Sequence, residues 1–260
     1  MPPVLTHLAD LDELYDDLVL GGPEDRTDPW LALCMVSSLD GSVTLRAVSE
    51  GLGGPADKRA LARIRDACDV ILIGAGTARD EEYPPYPGGT ARQRRRTEKG
   101  LAARPPVAMV TRTGGLPAGH PLVADPEDAP IVIVAAADAA GARTALAPTP
   151  AGEAIDWLVA GDATLDWSAA LAGIAERGLP RISCEGGPRI NGALLEAGLV
   201  DEAFVTIAPA LVGGDGLRLA RTDGPAHRHD LTLVSALVHG DELLLRYRSA
   251  RASSSAAASR

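Results

Sequence analysis

The feature of this chain that most restricts its fold is a repeated alternation of short apolar runs and helical patterns. Continuous apolar runs predict buried strands at 30–37, 69–73, 106–111, 130–135, 155–160, 181–183 and 202–208. Helices are predicted at 55–68, from apolar residues at i, i+3 and i+7, at 166–177, from an Asp166 N-cap, and at 188–197. Repeated strand–helix units favour a largely parallel sheet flanked by helices.

The end of the chain follows a different pattern. Strand patterns at 231–238 and 242–248, joined by His239-Gly240-Asp241, predict a hairpin that adds an antiparallel edge. We therefore predict an α/β protein with a mostly parallel central sheet and a C-terminal antiparallel hairpin. Its domain would span 30–248, preceded by an acidic amphipathic segment at 1–29 and followed by a disordered Ser/Ala tail at 249–260.

Composition argues against several classes of function. A net charge of −10 does not suit a nucleic-acid face, which needs clustered positive charge. The arginine run at 92–96 is an exception, and its Pro/Gly-rich surroundings predict a solvated surface loop. Cys34, Cys68 and Cys184 are isolated, so neither a disulfide framework nor a zinc site is expected, and a reducing cytoplasm fits best. No signal peptide or membrane-spanning run is evident in the sequence.

Glycine-rich loops follow several predicted strands. Gly74-Ala75-Gly76-Thr77 and Cys184-Glu185-Gly186-Gly187-Pro188 each lie between a strand and a helix start. Backbone N–H groups and a helix N-terminus suit a phosphate there, although Gly-Gly-Pro also forms ordinary turns, so both interpretations remain open. With the loops at 37–41 and 111–113, these segments should converge at the carboxyl ends of parallel strands and grip a dinucleotide. An arginine in such a loop would favour NADP over NAD.

Other nucleotide and hydrolytic chemistries fit poorly. Arg79 stands where the third glycine of the dinucleotide fingerprint belongs, and no acidic residue closes a strand about 20 positions further on. The five histidines lie in termini, loops or the late hairpin, with no G-x-S-x-G elbow and no zinc-spaced pair. A Rossmann dehydrogenase, a hydrolase and a phosphoryl-transfer enzyme are therefore not expected.

Several motifs occur in a fixed order along the chain. They are Ser38-Leu39-Asp40-Gly41, Gly54-Pro55-Ala56-Asp57-Lys58-Arg59, Arg65-Asp66-Ala67-Cys68-Asp69, Gly74-Ala75-Gly76-Thr77, Cys184-Glu185-Gly186-Gly187-Pro188, Leu199-Val200-Asp201-Glu202 and Ile207-Ala208-Pro209-Ala210-Leu211-Val212-Gly213-Gly214. Together they resemble the pyrimidine reductase family of riboflavin biosynthesis, the reductase domain of the bifunctional deaminase/reductase. The resemblance covers about residues 30–248 and implies a dihydrofolate-reductase-like fold with NADPH laid across the sheet.

The resemblance also implies roles for individual residues. Cofactor binding would fall to Gly74, Gly76, Thr77, Thr111, Arg112, Gly186, Gly187 and Pro188, with Thr111 and Arg112 meeting the 2′-phosphate. Substrate binding would fall to Ser38, Asp40, Arg65 and Glu185, and catalysis to Asp40, Glu81 and Glu185. Glu81 stands where the family often carries Asp, and Arg65 could equally be a surface residue of its helix.

The implied activity is NADPH-dependent reduction of a pyrimidine such as 5-amino-6-(5-phosphoribosylamino)uracil, with hydride reducing C1′ of the ring-opened imine. The first 29 residues hold neither H-x-E nor P-C-x-x-C, so deamination is not expected. Two alternatives remain: a dihydrofolate-reductase-like activity on a pterin, and a nucleotide-binding protein without catalysis. The resemblance also implies a homodimer, with the apolar closing strands as a plausible interface.

Overall fold

The computed structural model describes residues 5–22, 27–46, 48–86 and 89–250. The strands of this part of the chain are β1 (Leu5–His7), β2 (Trp30–Ser38), β3 (Val70–Gly74), β4 (Val107–Val110), β5 (Ile131–Val134), β6 (Asp156–Val159), β7 (Arg181–Cys184), β8 (Glu202–Ala208), β9 (Leu231–His239) and β10 (Glu242–Ser249). The α-helices are α1 (Pro55–Arg65), α2 (Ala75–Asp80), α3 (Thr90–Glu98), α4 (Ala136–Leu146), α5 (Trp167–Glu176) and α6 (Pro188–Glu196).

These strands form one sheet in the order β1-β9-β10-β8-β2-β7-β3-β4-β5-β6. Neighbouring strands are parallel except for β10, which is antiparallel to both β8 and β9. The predicted hairpin is confirmed, but it does not form the edge of the sheet, because β1 pairs with β9 outside it. A three-residue strand is too short to leave a periodic signal in the sequence.

The core lies on both faces of the parallel part of the sheet. Ile71 and Ile73 of β3 pack with α1, whereas Val70 and Leu72 of the same strand pack with α5 and α6. This alternation explains why the strands are continuous apolar runs: a parallel strand covered by helices on both sides is buried at every position. The packing fixes the carboxyl ends of β2, β7 and β3 side by side.

The arginine run at 92–96 overturns a prediction. It lies in α3 instead of a solvated loop, and the Arg96 side chain is fully buried, donating to the carbonyls of Arg65, Cys68 and Ala102. Its neighbours Arg92 and Arg95 bind the buried carboxylate of Asp66. Runs of charged side chains are usually exposed to solvent. These arginines are drawn against the protein by their tertiary contacts with Asp66 and with the carbonyls at the end of α1, which a local sequence pattern does not indicate.

Two other segments differ from expectation or lie beyond it. The helix α4 occupies a stretch in which no helix was predicted, because its alanines give no apolar–polar period. Ser249, the first residue of the predicted tail, ends β10, and residues 251–260 lie outside the described residues. None of the helices in the described ranges is long and apolar enough to cross a membrane.

Candidate functional site

A cavity of ≈ 320 Å³ lies beside the carboxyl ends of β2, β3 and β7. The helix α1 contributes Asp57, Leu61 and Arg65 to its wall, and the segments after β3 and β7 contribute Thr77 and Glu185. This volume is in the range of sites that enclose small molecules. Because the cavity lies at the carboxyl ends of parallel strands, it is also where open α/β sheets bind their ligands.

A buried ion pair dominates one end of the cavity. Arg65 donates to both carboxylate oxygens of Glu185, with Nε–Oε1 and Nη2–Oε2 distances of 2.7 and 2.6 Å. The Tyr83 hydroxyl donates to Glu185 Oε2 at 2.6 Å and also accepts from Arg65. The bidentate geometry fixes the Glu185 carboxylate in one orientation. Arg65 is thus part of the site and not a surface residue of its helix.

The charges of this cluster follow from burial and from each other. Burial disfavours the Arg65 guanidinium charge, but the Glu185 carboxylate outweighs it, so the pKa of Arg65 is raised. Burial, followed by the charge of Glu185, raises the pKa of Tyr83 well above its ordinary value. Tyr83 is therefore a neutral hydroxyl at physiological pH.

The two glycine loops predicted to converge are in direct contact. The Gly74 N–H donates to the Gly186 carbonyl at 2.9 Å. A Cβ added at Gly187 would lie 2.6 Å from Thr77 Oγ1, so the loops leave no room for a side chain there. The peptide between Gly186 and Gly187 is cis. Thr77, Gly187 and Pro188 line the cavity, which places both loops at its wall.

The loop after β4 lies next along the same edge of the sheet. Thr111 is buried, and its hydroxyl oxygen accepts from the N–H groups of Thr113 and Gly114, which holds the turn. Arg112 is exposed and makes no ion pair within the described residues. Arg79 of α2 reaches the carbonyl of Gly115 in this loop. Neither Thr111 nor Arg112 reaches the cavity itself.

Ser38 and Asp40 lie away from the cavity wall. The Ser38 hydroxyl donates to Asp40 at 2.6 Å, and the other Asp40 contacts are the N–H groups of Val212 and Gly213. The Ser38 hydrogen bond, followed by the backbone donors, lowers the pKa of Asp40 to about 2. These contacts hold the loop after β8, which continues to Leu217 at the cavity.

Glu81 does reach the cavity. Its Oε1 accepts from the Ser49 N–H at 2.6 Å, which links the end of α2 to the 38–50 loop. The fold thus brings six of the predicted site residues together at the cavity: Arg65, Thr77, Glu81, Glu185, Gly187 and Pro188.

Sequence reasoning missed two side chains at the site. Tyr83 left no signal, because its contact with Glu185 depends on how the segment after α2 folds back. Asp57 lay in a quoted motif but received no role. The spacing of Asp57, Leu61 and Arg65 at i, i+4 and i+8 would have placed all three on one helix face.

Comparison with known proteins now identifies the family. Residues 29–245 match the RibD C-terminal domain. The chain belongs to this family. It is 30% identical over 226 residues to the 2,5-diamino-6-ribosylamino-4(3H)-pyrimidinone 5′-phosphate reductase of Methanothermobacter thermautotrophicus, covering 84% of this chain and 97% of that protein.

Solved structures of RibD-type reductases share its fold. A pyrimidine reductase-like protein from Corynebacterium diphtheriae matches with a TM-score of 0.76 at 24% identity, covering 85% of this chain and 92% of that chain. The riboflavin biosynthesis reductase Rib7 of Saccharomyces cerevisiae matches with a TM-score of 0.60 at 18% identity, covering 93% and 100%. These likenesses confirm the predicted dihydrofolate-reductase-like α/β fold. The predicted family is confirmed by the domain match and by the Methanothermobacter relative.

Proposed function

We propose that this chain is an NADPH-dependent reductase of a ribosylamino-pyrimidine phosphate in riboflavin biosynthesis. The observation that carries the proposal is the buried Glu185–Arg65–Tyr83 cluster, which faces a cavity beside two touching glycine loops. The relative that this chain matches over 97% of its length is a reductase of such a compound. That relative's substrate keeps a 2-amino group, whereas the uracil expected from the sequence carries oxygen at that position.

The glycine loops fit a dinucleotide. No side-chain oxygen caps α2 or α6, whose N-cap residues are Gly74 and Gly187. In the first turn of α6, Pro188 has no N–H and the Ile190 N–H donates to the Gly187 carbonyl at 2.9 Å, which leaves the Arg189 N–H for a ligand. A Cβ at Gly187 would press on Thr77, so the contact between the two loops requires glycine at this position. Arg112 is the cation we assign to the 2′-phosphate, which would select NADPH over NADH.

The chemistry divides between the cofactor and the cavity. NADPH, when bound, supplies a hydride. Glu185 stabilises the cationic imine of the opened sugar, because Arg65 has already fixed its carboxylate and no reorientation is needed during reaction. Tyr83 keeps its proton and orients the same carboxylate. Glu81 is a further carboxylate at the cavity wall.

A homodimer is part of this proposal. One face of the β8–β10–β9 part of the sheet carries aliphatic side chains in cross-strand rows that are only partly covered: Ile207, Leu243 and Val238, then Val205 and Leu245. A second copy of the chain would cover this face. Sedimentation analysis should give a dimer for the wild type and a monomer for Leu243→Asp; a monomeric wild type would contradict the dimer.

The direct test follows NADPH absorbance with purified protein and three substrates. These are the 2,5-diamino-pyrimidinone ribosylamino phosphate, its deaminated uracil counterpart and dihydrofolate. Oxidation of NADPH with one or both pyrimidines, and not with dihydrofolate, supports the proposal. The same assay with NADH in place of NADPH tests the cofactor preference. Oxidation with dihydrofolate alone would make the chain a folate reductase. NADPH binding without any turnover would favour a non-catalytic binder. Loss of the amino group without reduction would contradict the expectation from the sequence that the chain does not deaminate.

A further inference from the structure

One stripe of α1 lines the cavity from end to end. Asp57, Leu61 and Arg65 lie on it, and the eight helical steps from Asp57 to Arg65 span about 12 Å along the helix axis. At one end Arg65 is committed to Glu185. At the other end Asp57 makes no ion pair within the described residues. The cavity therefore has a second polar end that the reductase mechanism above does not use.

The structure explains why Asp57 faces the cavity. A carboxylate at the third position of a helix normally serves the free N–H groups of the first turn. Here Glu242 of β10 takes that place, accepting from the N–H groups of Gly54, Ala56 and Asp57 at 2.8, 2.9 and 3.2 Å. With the helix amides satisfied from outside, the Asp57 side chain is left free of its usual capping role.

The surroundings of Asp57 give it acceptor capacity and little positive charge. The Thr206 hydroxyl of β8 donates to it, Glu242 of β10 and Cys34 of β2 face it, and Lys58 of its own helix is the nearby cation. Burial, then the charge of Glu242, raises the pKa of this carboxyl despite the Thr206 hydrogen bond. A ligand that presents N–H groups to this carboxyl would favour its ionised form.

We propose that Asp57 binds the N–H edge of the substrate's base and selects a 2-amino-4-oxopyrimidine over a uracil. This inference rests on the proposed function, since it assigns an end of the same cavity. A carboxylate offers acceptors on both oxygens and matches the paired ring N–H and amino donors of a 2-amino-4-oxopyrimidine. A uracil presents carbonyl oxygens beside its N–H, and these face the carboxylate unfavourably. The amino group thus supplies a donor where the oxo group supplies repulsion.

The acidity of the cavity agrees with this assignment. Asp57, Asp80, Glu81 and Glu185 line the wall, and Arg65 is the cation among its lining residues. A ring rich in N–H donors suits such a wall better than one rich in carbonyl oxygens.

The test compares two free bases that differ only at C2, the triamino-oxopyrimidine and the diaminouracil, by calorimetry. We expect the wild type to prefer the amino base by about tenfold to a hundredfold, the range for a hydrogen bond to a charged group. Asp57→Asn should reduce the preference to less than about threefold. Asp138→Asn changes the same third position of α4, far from the cavity, and should retain the preference.

The outcomes separate the two proposals. A preference that persists in Asp57→Asn, an absent preference in the wild type, or no binding of either base would each overturn the role of Asp57. Failure of the wild type to oxidise NADPH with any ribosylamino-pyrimidine would overturn the proposed function, while the base comparison still decides the role of Asp57. If Asp57→Asn does not fold, wild-type binding measured as a function of pH replaces it: the amino preference should fall as the pH is lowered through the pKa of Asp57. A preference that stays constant down to the lowest pH at which the protein remains folded would refute the assignment.

Discussion

Removing the Glu242 carboxylate should destabilise the chain strongly, because this side chain caps α1 from a position 188 residues away from Gly54. Pro55 opens the helix and Gly54 offers no capping side chain. A Cβ at Gly54 would lie 2.6 Å from Glu242 Oε2, so the glycine makes room for the remote cap. The carboxylate is buried and accepts three N–H groups of the first turn.

The magnitude follows from these contacts. Loss of an N-cap costs about 0.5–2 kcal/mol, and the attraction of a partly buried charge to the helix dipole adds up to about 2 kcal/mol. We therefore expect Glu242→Ala to lower the free energy of unfolding by about 2–4 kcal/mol. Glu242→Gln keeps one acceptor oxygen and loses the charge, so about 1–2 kcal/mol is expected.

Urea unfolding followed by circular dichroism measures the change, with a matched drop in Tm of about 2–4 °C per kcal/mol. Asp241→Asn, an exposed carboxylate beside Glu242 in the β9–β10 turn, is the control and should stay within about 0.5 kcal/mol of the wild type. If Glu242→Ala behaves like this control, the first-turn N–H groups find other partners and the capping argument is wrong.

Three further variants test other parts of the molecule. Glu185→Gln should lower kcat about a hundredfold or more in the NADPH assay; a loss within about twofold would remove Glu185 from catalysis. Asp66→Asn removes the carboxylate that binds Arg92 and Arg95, so the free energy of unfolding in urea should fall by about 2–4 kcal/mol. A loss below about 1 kcal/mol would contradict this expectation. The pKa of Asp40 is about 2, against about 3.9 unfolded, so its contribution is present above pH 4 and lost as the pH falls towards 2. The stability difference between the wild type and Asp40→Asn should therefore shrink from pH 5 to pH 3, and a constant difference would refute the linkage.

The parallel strands were predictable because burial on both faces leaves continuous apolar runs. The strand β8 has the bounds predicted for it, β2 ends one residue later than predicted, and β3 begins and ends one residue later. The glycine loops were predictable for the same reason: a strand that ends abruptly at glycine fixes where the carboxyl edge of the sheet lies. Local sequence therefore predicted where the two glycine loops meet, beside the candidate cavity.

The parts that were missed depend on contacts between distant segments. Arg96 is buried because the C-terminal carbonyls of α1 lie within its reach, and nothing in a run of arginines indicates this. Tyr83 becomes a site residue through its contacts with Arg65 and with Glu185, which is 102 positions away. Asp57 could be placed on a helix face, but its freedom to face the cavity depends on Glu242.

Contacts from distant segments hold both ends of α1. The helix α1 is held at its N-terminus by Glu242, and its C-terminal carbonyls accept from Arg96 and Arg92. Each end of the helix dipole thus meets a side chain of opposite charge from another segment. A helix fixed at both ends presents Asp57 and Arg65 to the cavity at a constant separation. Loosening either end should therefore weaken binding at both ends of the cavity, so Glu242→Gln should raise KM for the substrate even where the protein remains folded.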